Sequence, residues 1–201
     1  ITILDVGAGR SPTLAPADRP DGCRYLGLDI SAEELEAAGP AAYDATYVHD
    51  IVDPLAEVRD VDVIISWQVL EHVSSLPRAL SNLHAMLRPG GMLLAQTSGS
   101  FAAFAIAARV MPHRVRVKVM ARYLGHQEDE KFPTSFDHCT AHAIRKLLNQ
   151  WGPAEIVPFY RGAPYFSMSR PLQRLYLSYE GFVAARQWDN LATHYLLIAS
   201  A

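Results

Sequence analysis

The chain has 201 residues, of which 50% are hydrophobic and 19% are charged, and its formal net charge at pH 7 is -3. This length and composition predict one folded domain and exclude an intrinsically disordered chain. The slightly negative charge argues against a general affinity for nucleic acid, and the most apolar stretch, FAAFAIAARVM, falls short of the roughly 18 residues that span a bilayer.

Short β-type runs alternate with helix-type segments in the first half of the chain. Strands are predicted at 1–6, 25–30, 46–51, 62–67 and 92–97, each an apolar run beside turn residues. A helix is predicted at 31–38, where Ser31 and Glu34 have the spacing of a capping box. Another is predicted at 76–88, where leucines recur at helical spacing before a Pro-Gly-Gly turn. This alternation predicts an α/β domain with a mainly parallel sheet.

The regular alternation of strand and helix patterns ends after the fifth predicted strand. Residues 101–124 predict two short helices interrupted by a proline, and residues 142–152 predict a helix that ends in glycine. Two last strands are predicted at 155–160 and 193–200, a pattern that favours a hairpin pair at one edge of the sheet. The aromatic-rich stretch between them receives no element.

The opening segment ILDVGAGRSP places Gly7 and Gly9 directly after the first strand. Open α/β sheets bind ligands at the carboxyl ends of their strands, and glycine lets the backbone approach a ligand closely there. A dinucleotide fingerprint needs a third glycine that opens a helix, but Pro12, Pro16 and Pro20 exclude a long helix. A nicotinamide oxidoreductase is therefore disfavoured. A Walker phosphate loop is excluded, because no Gly-Lys-Ser/Thr follows.

Three carboxylates are predicted at strand ends: Asp5 in the first strand, Asp29 at the end of the second and Asp50 at the end of the third. Carboxylates accept hydrogen bonds from hydroxyl, amine and ammonium groups, and they repel phosphate. A ligand with a ribose diol, an adenine amine and a positive charge, but no phosphate, would satisfy all three. S-adenosylmethionine is such a ligand.

Five segments in the first 98 residues resemble, in this order, class I S-adenosylmethionine-dependent methyltransferases, especially the type 11 branch: ILDVGAG, YLGLDIS, VHDI, DVIISWQVLEHV and LRPGGMLLAQT. The resemblance implies a Rossmann-like, doubly wound sheet of seven strands with helices on both faces and a helical cap inserted after the fifth strand. It implies a single methyltransferase domain at 1–201. Its parts would be a cofactor-binding half at 1–98, a helical lid and following helix at 99–153, and C-terminal strands with a substrate-side segment at 154–201.

The resemblance also implies S-adenosylmethionine as the cofactor. The residues implied to bind it lie in or after the first four strands: Asp5, Gly7, Ala8, Gly9, Asp29, Ile30, Asp50, Ile51, Ser66 and Gln68. The glycines would pass under the methionine part and the ribose, and Asp5 would hold the loop or the methionine ammonium. Asp29 would take both ribose hydroxyls, Asp50 would face the adenine, and Ser66 and Gln68 would line the methyl end. The proline-rich segment after the loop departs from the family pattern, which has a long helix there.

An oxygen or nitrogen acceptor can need a general base, and His72 is the leading candidate because VLEHV follows the fourth strand directly. The alternative is a packing or capping role, and Glu71 is expected to be structural or adjacent to the cofactor. His126, Asp137 and His138 are further candidates in a segment that could fold over the site. No cluster has the spacing of a metal site, so no metal is expected.

Substrate specificity is expected in residues 99–190. If residues 101–124 are helical, Arg114, Lys118 and Arg122 form one basic stripe. Three interpretations stay open: a lid on a membrane surface, a site for a phosphate or carboxylate, or a solvated face whose apolar side meets the core or a second copy. Five aromatic residues would shape a pocket or pack in the core: Tyr160, Tyr165, Phe166, Tyr176 and Tyr179.

The sequence thus predicts a methyltransferase for a small-molecule acceptor, with O-methylation favoured and a lipid-like or glycosidic substrate among the options. The alternatives are a non-catalytic cofactor-binding protein and a nucleic-acid or protein methyltransferase. Two observations argue against a nucleic-acid or protein methyltransferase. The net charge is -3, and SWQV stands after the fourth strand where an Asn/Asp-Pro-Pro-aromatic tetrad would be expected. Cys23 and Cys139 predict reduced thiols in a cytoplasmic protein, and the basic stripe adds the inner membrane surface as an option. A homodimer is left open, and a segment before Ile1 is expected.

Overall fold

A computed structural model describes residues 1–102, 106, 134–167 and 169–201. The strands in these ranges are β1 (Thr2–Val6), β2 (Arg24–Asp29), β3 (Ala45–Val48), β4 (Val61–Trp67), β5 (Leu87–Ser98), β6 (Ala154–Phe159) and β7 (His194–Ser200). The helices are α1 (Ala32–Ala37), α2 (Leu76–Met86), α3 (Ala141–Leu148) and α4 (Arg170–Ala185). Short 3-10 turns lie at Pro16–Asp18, Ala163–Phe166 and Asp189–Leu191.

The strands form one sheet in the order β3-β2-β1-β4-β5-β7-β6. The first five strands in this order are parallel, and β7 runs antiparallel to both β5 and β6. From the centre of the sheet, the chain adds strands outward in opposite directions, from β2 through α1 to β3 and from β4 through α2 to β5. Right-handed crossovers therefore place these two helices on opposite faces of the sheet. The predicted α/β fold, with a mainly parallel seven-stranded sheet, is confirmed. The strand order reverses between β1 and β4, where open sheets of this kind bind ligands.

The main core lies between the sheet and helices α2 and α3. Leu4 and Ile64, from β1 and β4, are fully buried against Leu83 of α2 and Ile144 of α3. Burial of one such side chain contributes about 1.5–3 kcal/mol. A smaller cluster, which includes Tyr25, occupies the other face, because successive residues of a strand point to opposite sides.

Two boundaries differ from the predictions for clear local reasons. β3 ends at Val48, three residues early, because the carboxylate of Asp50 accepts a hydrogen bond from the amide of Val52 at 3.0 Å and closes a turn. The Pro-Gly-Gly segment belongs to β5 rather than to a free turn, and α2 accordingly ends at Met86. A Cβ at Gly91 would lie 2.8 Å from the carbonyl oxygen of Val61, so the irregular start of the strand requires glycine.

The predictions for the C-terminal part of the chain are confirmed only in part. β6 and β7 pair antiparallel at the sheet edge as predicted, but α4 lies between them in sequence, so they are not a hairpin. The predicted helix at 142–152 is confirmed as α3, although it ends at Leu148. The helices predicted at 101–124, and with them the helical cap, lie outside the described residues apart from residues 101, 102 and 106. Within the described ranges, no helix has the length and apolar character needed to cross a membrane.

Candidate active site

The glycine loop lies at the carboxyl end of β1, where the strand order reverses. Gly7 and Gly9 both adopt left-handed backbone conformations, with φ angles of 71° and 47°. A Cβ at Gly7 would lie 2.1 Å from a methyl carbon of Val69, so both crowding and conformation require glycine there. At Gly9 the nearest atom would be a carboxylate oxygen of Asp29 at 3.7 Å, so conformation alone requires it. Ala8, between the glycines, is buried.

Asp29 connects this loop to the start of α1. Its Oδ2 accepts a hydrogen bond from the amide of Gly9 at 3.0 Å, and its Oδ1 accepts one from the amide of Ser31 at 2.8 Å. Each carboxylate oxygen has a second lone pair that can accept from a ligand. The side chain of Ile30 is 56% exposed at the same edge of the sheet. Asp29 is therefore held in place with acceptor capacity remaining.

Asp5 is fully buried, and its carboxylate is bonded by the chain itself. It accepts hydrogen bonds from the amide and hydroxyl of Thr13, at 2.7 and 2.8 Å, and from the hydroxyl of Tyr25 at 2.6 Å. Burial raises the pKa of Asp5, and these hydrogen bonds oppose that shift. The carboxylate thus links Thr13, which follows the glycine loop in sequence, to β1 and to Tyr25 of β2.

The third carboxylate lies beside the second, although not in the strand as predicted. Asp29 pairs with Val48 in the register of β2 and β3, and the half-buried Asp50 lies in the turn just beyond. Ile51 is 5% exposed and packs into the main core. Asp29 and Asp50 thus stand at the ends of neighbouring strands.

Three buried polar atoms near the end of β4 have no hydrogen-bond partner in the part of the chain that the structure describes: Ser66 Oγ, Gln68 Nε2 and His72 Nδ1. A buried polar group without a partner costs about 1–3 kcal/mol. Gln68 also has a positive φ of 58°, and its Oε1 accepts a hydrogen bond from the hydroxyl of Ser98 at 2.8 Å. Strained backbone and unpaired polar atoms are features that cluster at ligand-binding sites.

Glu71 ties together the loops around this site. Its carboxylate accepts hydrogen bonds from the hydroxyl of Thr97 at 3.0 Å and the amide of Ser98 at 3.3 Å. Its backbone carbonyl accepts from the amides of Ser135 and Phe136, both at 2.8 Å. The side chain is 2% exposed. These contacts make Glu71 a structural residue, one of the two roles expected for it.

Asp137 and His138 form a pair on the segment that Glu71 holds. One oxygen of Asp137 accepts from the amide of Leu76 at 3.0 Å, at the start of α2, and the other lies 2.6 Å from Nδ1 of His138. His138 has a positive φ of 53°, and its side chain is 52% exposed. His126, the other candidate, lies outside the described residues. In the described ranges, no group of three or more His, Cys, Asp and Glu side chains is placed to hold a metal ion.

The five aromatic residues expected to shape a pocket or pack in the core separate into different surroundings. The hydroxyl of Tyr160 donates to Asp189 at 3.3 Å, and burial together with the charge of Asp189 raises the pKa of Tyr160 to about 12. The rings of Phe166 and Tyr176 lie 4.4 Å apart, and those of Tyr176 and Tyr179 lie 5.6 Å apart. Tyr160 therefore packs against the core, and three of the others form a cluster with α4.

The sequence did not point to two further groups at this edge. His194 begins β7 opposite Ser98, and its ring lies 6.5 Å from that of Tyr165. Burial lowers the pKa of His194, while the charges of Glu71 and Glu180 oppose the shift. Glu180 is 5% exposed and accepts a hydrogen bond at 2.8 Å from the hydroxyl of Thr193, the residue before His194. Sequence reasoning missed both residues, because a histidine within a strand and a glutamate in a stretch without a predicted element belong to no periodic pattern.

Comparison with known proteins decides the family. A family model described as a methyltransferase domain matches residues 1–154. The chain belongs to this methyltransferase family. The methyltransferase is 34% identical over 155 residues to the ubiquinone biosynthesis O-methyltransferase of Nitrobacter winogradskyi, covering 74% of this chain and 56% of that protein. It is 28% identical over 155 residues to the protein of the same name from Rhodopseudomonas palustris, covering 74% and 58%. The chain thus spans little more than half the length of these relatives.

Solved structures share the fold of this methyltransferase. An S-adenosylmethionine-dependent methyltransferase from Mesorhizobium loti superposes with a TM-score of 0.62 at 18% identity, covering 100% of this chain and 90% of that one. One from Archaeoglobus fulgidus gives a TM-score of 0.61 at 13% identity, covering 100% and 86%. The class I methyltransferase fold that the sequence motifs predicted is confirmed.

Proposed function

We propose that this chain forms the catalytic core of an S-adenosylmethionine-dependent methyltransferase that acts on a hydroxyl group of a small molecule. The observation that carries the proposal is the pair of carboxylates, Asp29 and Asp50, at neighbouring strand ends beside the glycine loop. Between β1 and β2, the 3-10 turn Pro16–Asp18 stands in place of a long helix. A nucleoside without a pyrophosphate fits such a site, because phosphates bind at helix N-termini.

The residues present fit this cofactor. Asp29 has lone pairs for the ribose hydroxyls, and Asp50 with the backbone of Ile51 would face the adenine. Ser66 Oγ and Gln68 Nε2, which are buried without partners among the residues described, would hold the methionine end. When bound, the cofactor supplies a methyl carbon that its sulfonium already makes electrophilic. The chain's own task is to orient the acceptor and to exclude water.

His72 is the proposed general base. It lies in the turn directly after β4, and its amide donates to the carbonyl of Val69 at 2.8 Å, which fixes the turn. Its Nδ1 is buried without a partner in the described ranges. A neutral imidazole can take the proton of an acceptor hydroxyl as the oxygen is methylated.

The relatives named as ubiquinone biosynthesis O-methyltransferases support oxygen as the methylated atom and favour a lipid-like acceptor. The proposed location is the cytoplasm, and contact of residues 101–124 with the inner membrane surface is one of the three options that the sequence leaves open. A non-catalytic cofactor-binding protein and a nucleic-acid or protein methyltransferase are the alternatives, and the net charge of -3 argues against the latter.

The cofactor proposal is tested by calorimetric titration of S-adenosylhomocysteine into the wild type and Asp29→Asn. The amide keeps the size of the side chain but removes the charge and one of the two oxygens that accept from backbone amides, so we expect binding to weaken by about tenfold or more. Asp62→Asn is the matched control, because Asp62 pairs with Arg88 near the start of β4, at the opposite end of the strands from the glycine loop. Absence of binding by the folded wild type would overturn the proposal.

A second measurement distinguishes an enzyme from a non-catalytic cofactor-binding protein. Transfer of a radiolabelled methyl group is followed into phenolic, glycosidic and lipid-linked hydroxyl compounds, and into RNA and protein as comparison acceptors. We expect label in at least one hydroxyl compound. Label in RNA or protein alone would favour that alternative, and tight cofactor binding without any transfer would favour the non-catalytic protein.

A further inference from the structure

The backbone of the glycine loop obtains its hydrogen bonds without a following helix. The amides of Gly7 and Ala8 donate to the carbonyl of Leu28, at 2.8 and 3.1 Å. The carbonyl oxygens of Ala8 and Gly9 accept from the hydroxyl of Tyr43, at 2.8 and 3.1 Å. Buried backbone groups must find partners, and here one side chain, 34 residues beyond Gly9 in sequence, supplies a shared donor for two of them.

Tyr43 is itself held on several sides. A Cβ at Gly27 would lie 2.8 Å from the ring of Tyr43, so the ring packs directly on the backbone of β2. The ring of Tyr25 lies nearly parallel to it, with centroids 5.8 Å apart and planes 6° apart. The carbonyl of Ala42, the preceding residue, accepts a hydrogen bond from Arg19 at 2.7 Å. The hydroxyl of Tyr43 is therefore fixed in position before any ligand binds.

The proline-rich segment closes the same network. The guanidinium of Arg19 lies 3.8 Å above the ring of Tyr25. The hydroxyl of Tyr25 donates to Asp5 and accepts from the amide of Leu14 at 3.0 Å. Burial and the nearby charge of Asp5 raise the pKa of Tyr25 and of Tyr43, so both hydroxyls remain protonated donors at neutral pH. A network of side chains thus supports the loop where a helix would otherwise pack.

We propose that Tyr43 is a positioning residue for the cofactor: its hydroxyl fixes the Ala8–Gly9 backbone in the conformation that binds S-adenosylmethionine. This inference rests on the proposed function, which names that ligand. The physical basis is preorganisation, because a loop that is already ordered loses less entropy on binding. Tyr43 has no place in the family motifs of the sequence, and no contact of its side chain with the ligand is required.

The test compares Tyr43→Phe with the wild type. Phenylalanine keeps the ring stacked on Tyr25 and removes the donor to the two carbonyls. We expect binding of S-adenosylhomocysteine to weaken by roughly threefold to tenfold, the effect of one lost hydrogen bond. Amide hydrogen exchange in residues 7–10 of the ligand-free protein should become faster. Tyr160→Phe is the matched control, since it removes a hydroxyl that bonds Asp189 away from the glycine loop.

The outcomes separate this inference from the proposed function. Unchanged exchange in residues 7–10 together with unchanged affinity would overturn the role of Tyr43. A fall in Tm with faster exchange throughout the sheet would also overturn it, because the hydroxyl would then serve general stability. Faster exchange confined to the loop, with no binding by the wild type, would support the anchoring of the loop and reject the cofactor proposed for it.

Discussion

Gly7 combines two constraints that can be separated by mutation. Its φ is 71°, and a Cβ would lie 2.1 Å from a methyl carbon of Val69. Gly39 has a similar φ of 83°, but a Cβ there would have nothing within 4 Å. A left-handed conformation costs a non-glycine residue about 1–2 kcal/mol, and overpacking adds about 1–3 kcal/mol.

Gly7→Ala should therefore destabilise the protein by about 2–5 kcal/mol, and Gly39→Ala by about 1–2 kcal/mol. Urea unfolding of both variants measures the difference in the free energy of unfolding. Equal losses would show that Val69 moves away without cost and that crowding does not select glycine at position 7.

The proposed base can be tested at a single residue. His72→Gln should lower kcat for a hydroxyl acceptor by roughly a hundredfold or more, the usual contribution of a general base. The affinity for S-adenosylhomocysteine should stay close to that of the wild type. His142→Gln, on the exposed face of α3, is the control. If turnover by His72→Gln equals that of the control, the imidazole has the packing role that the sequence left open.

Site residues differed in how far the sequence could predict them. Asp29 ends a strand and lies two residues before the helix cap Ser31, so its place at the sheet edge was predictable from local pattern. The partners of Asp5 were not, because the hydroxyl of Tyr25 reaches it across 20 residues of sequence. Tyr43 was missed for the same reason, since its carbonyl partners become neighbours only when β1, β2 and the segment before β3 assemble.

At the scale of elements, two helix starts look alike in sequence but are capped differently. Thr140 accepts a hydrogen bond from the amide of Ala143 at 3.2 Å and caps α3. Ser75 stands at the corresponding position of α2, but its side chain makes no capping bond. Asp137 accepts from the first amide of α2 instead. A long-range side chain has replaced the local cap.

Thr140→Ala should cost about 1 kcal/mol of stability, the usual value of a cap. Ser75→Ala should change the free energy of unfolding by less than about 0.5 kcal/mol. Thermal and urea unfolding of the two variants provide the comparison. A larger loss for Ser75→Ala than for Thr140→Ala would contradict the hydrogen bonds seen at the two helix starts.

The elements themselves were predictable where hydrophobic period and turn chemistry agreed. Ser31 caps α1 as expected, although Glu34 pairs with Arg10 rather than completing the capping box. α4 was missed, because Pro171 and Gly181 interrupt its pattern and leucines lie on its exposed sides. Its cap, Ser169, accepts from the amide of Leu172 at 3.5 Å, and Pro171 lies in its first turn, where proline is tolerated.

At the scale of the whole molecule, His194 predicts how stability responds to acid. Burial lowers its pKa below the ordinary value of 6.5. As pH falls through that value, the unfolded chain binds a proton that the folded protein does not, so the free energy of unfolding decreases until the lowered pKa is passed. Asp5, whose pKa is raised, acts in the opposite direction at lower pH.

His194→Gln should therefore weaken the loss of stability as the pH falls through the ordinary histidine pKa of 6.5. Urea unfolding at several pH values around this pKa measures the slope, with His142→Gln as the control for an exposed histidine. A slope that does not differ between His194→Gln and the wild type would show that the imidazole is hydrated in the folded protein.

The sheet order has a consequence for synthesis of the chain. β7 is made after β6, yet it lies between β5 and β6. Among the described strands, β7 is the sole neighbour of β6, so β6 cannot join the sheet while β7 is still inside the ribosome. Until then β5 also presents an open edge, and strand edges of this kind can pair with other chains. A few residues lost from β7 would remove two strands from the sheet rather than one.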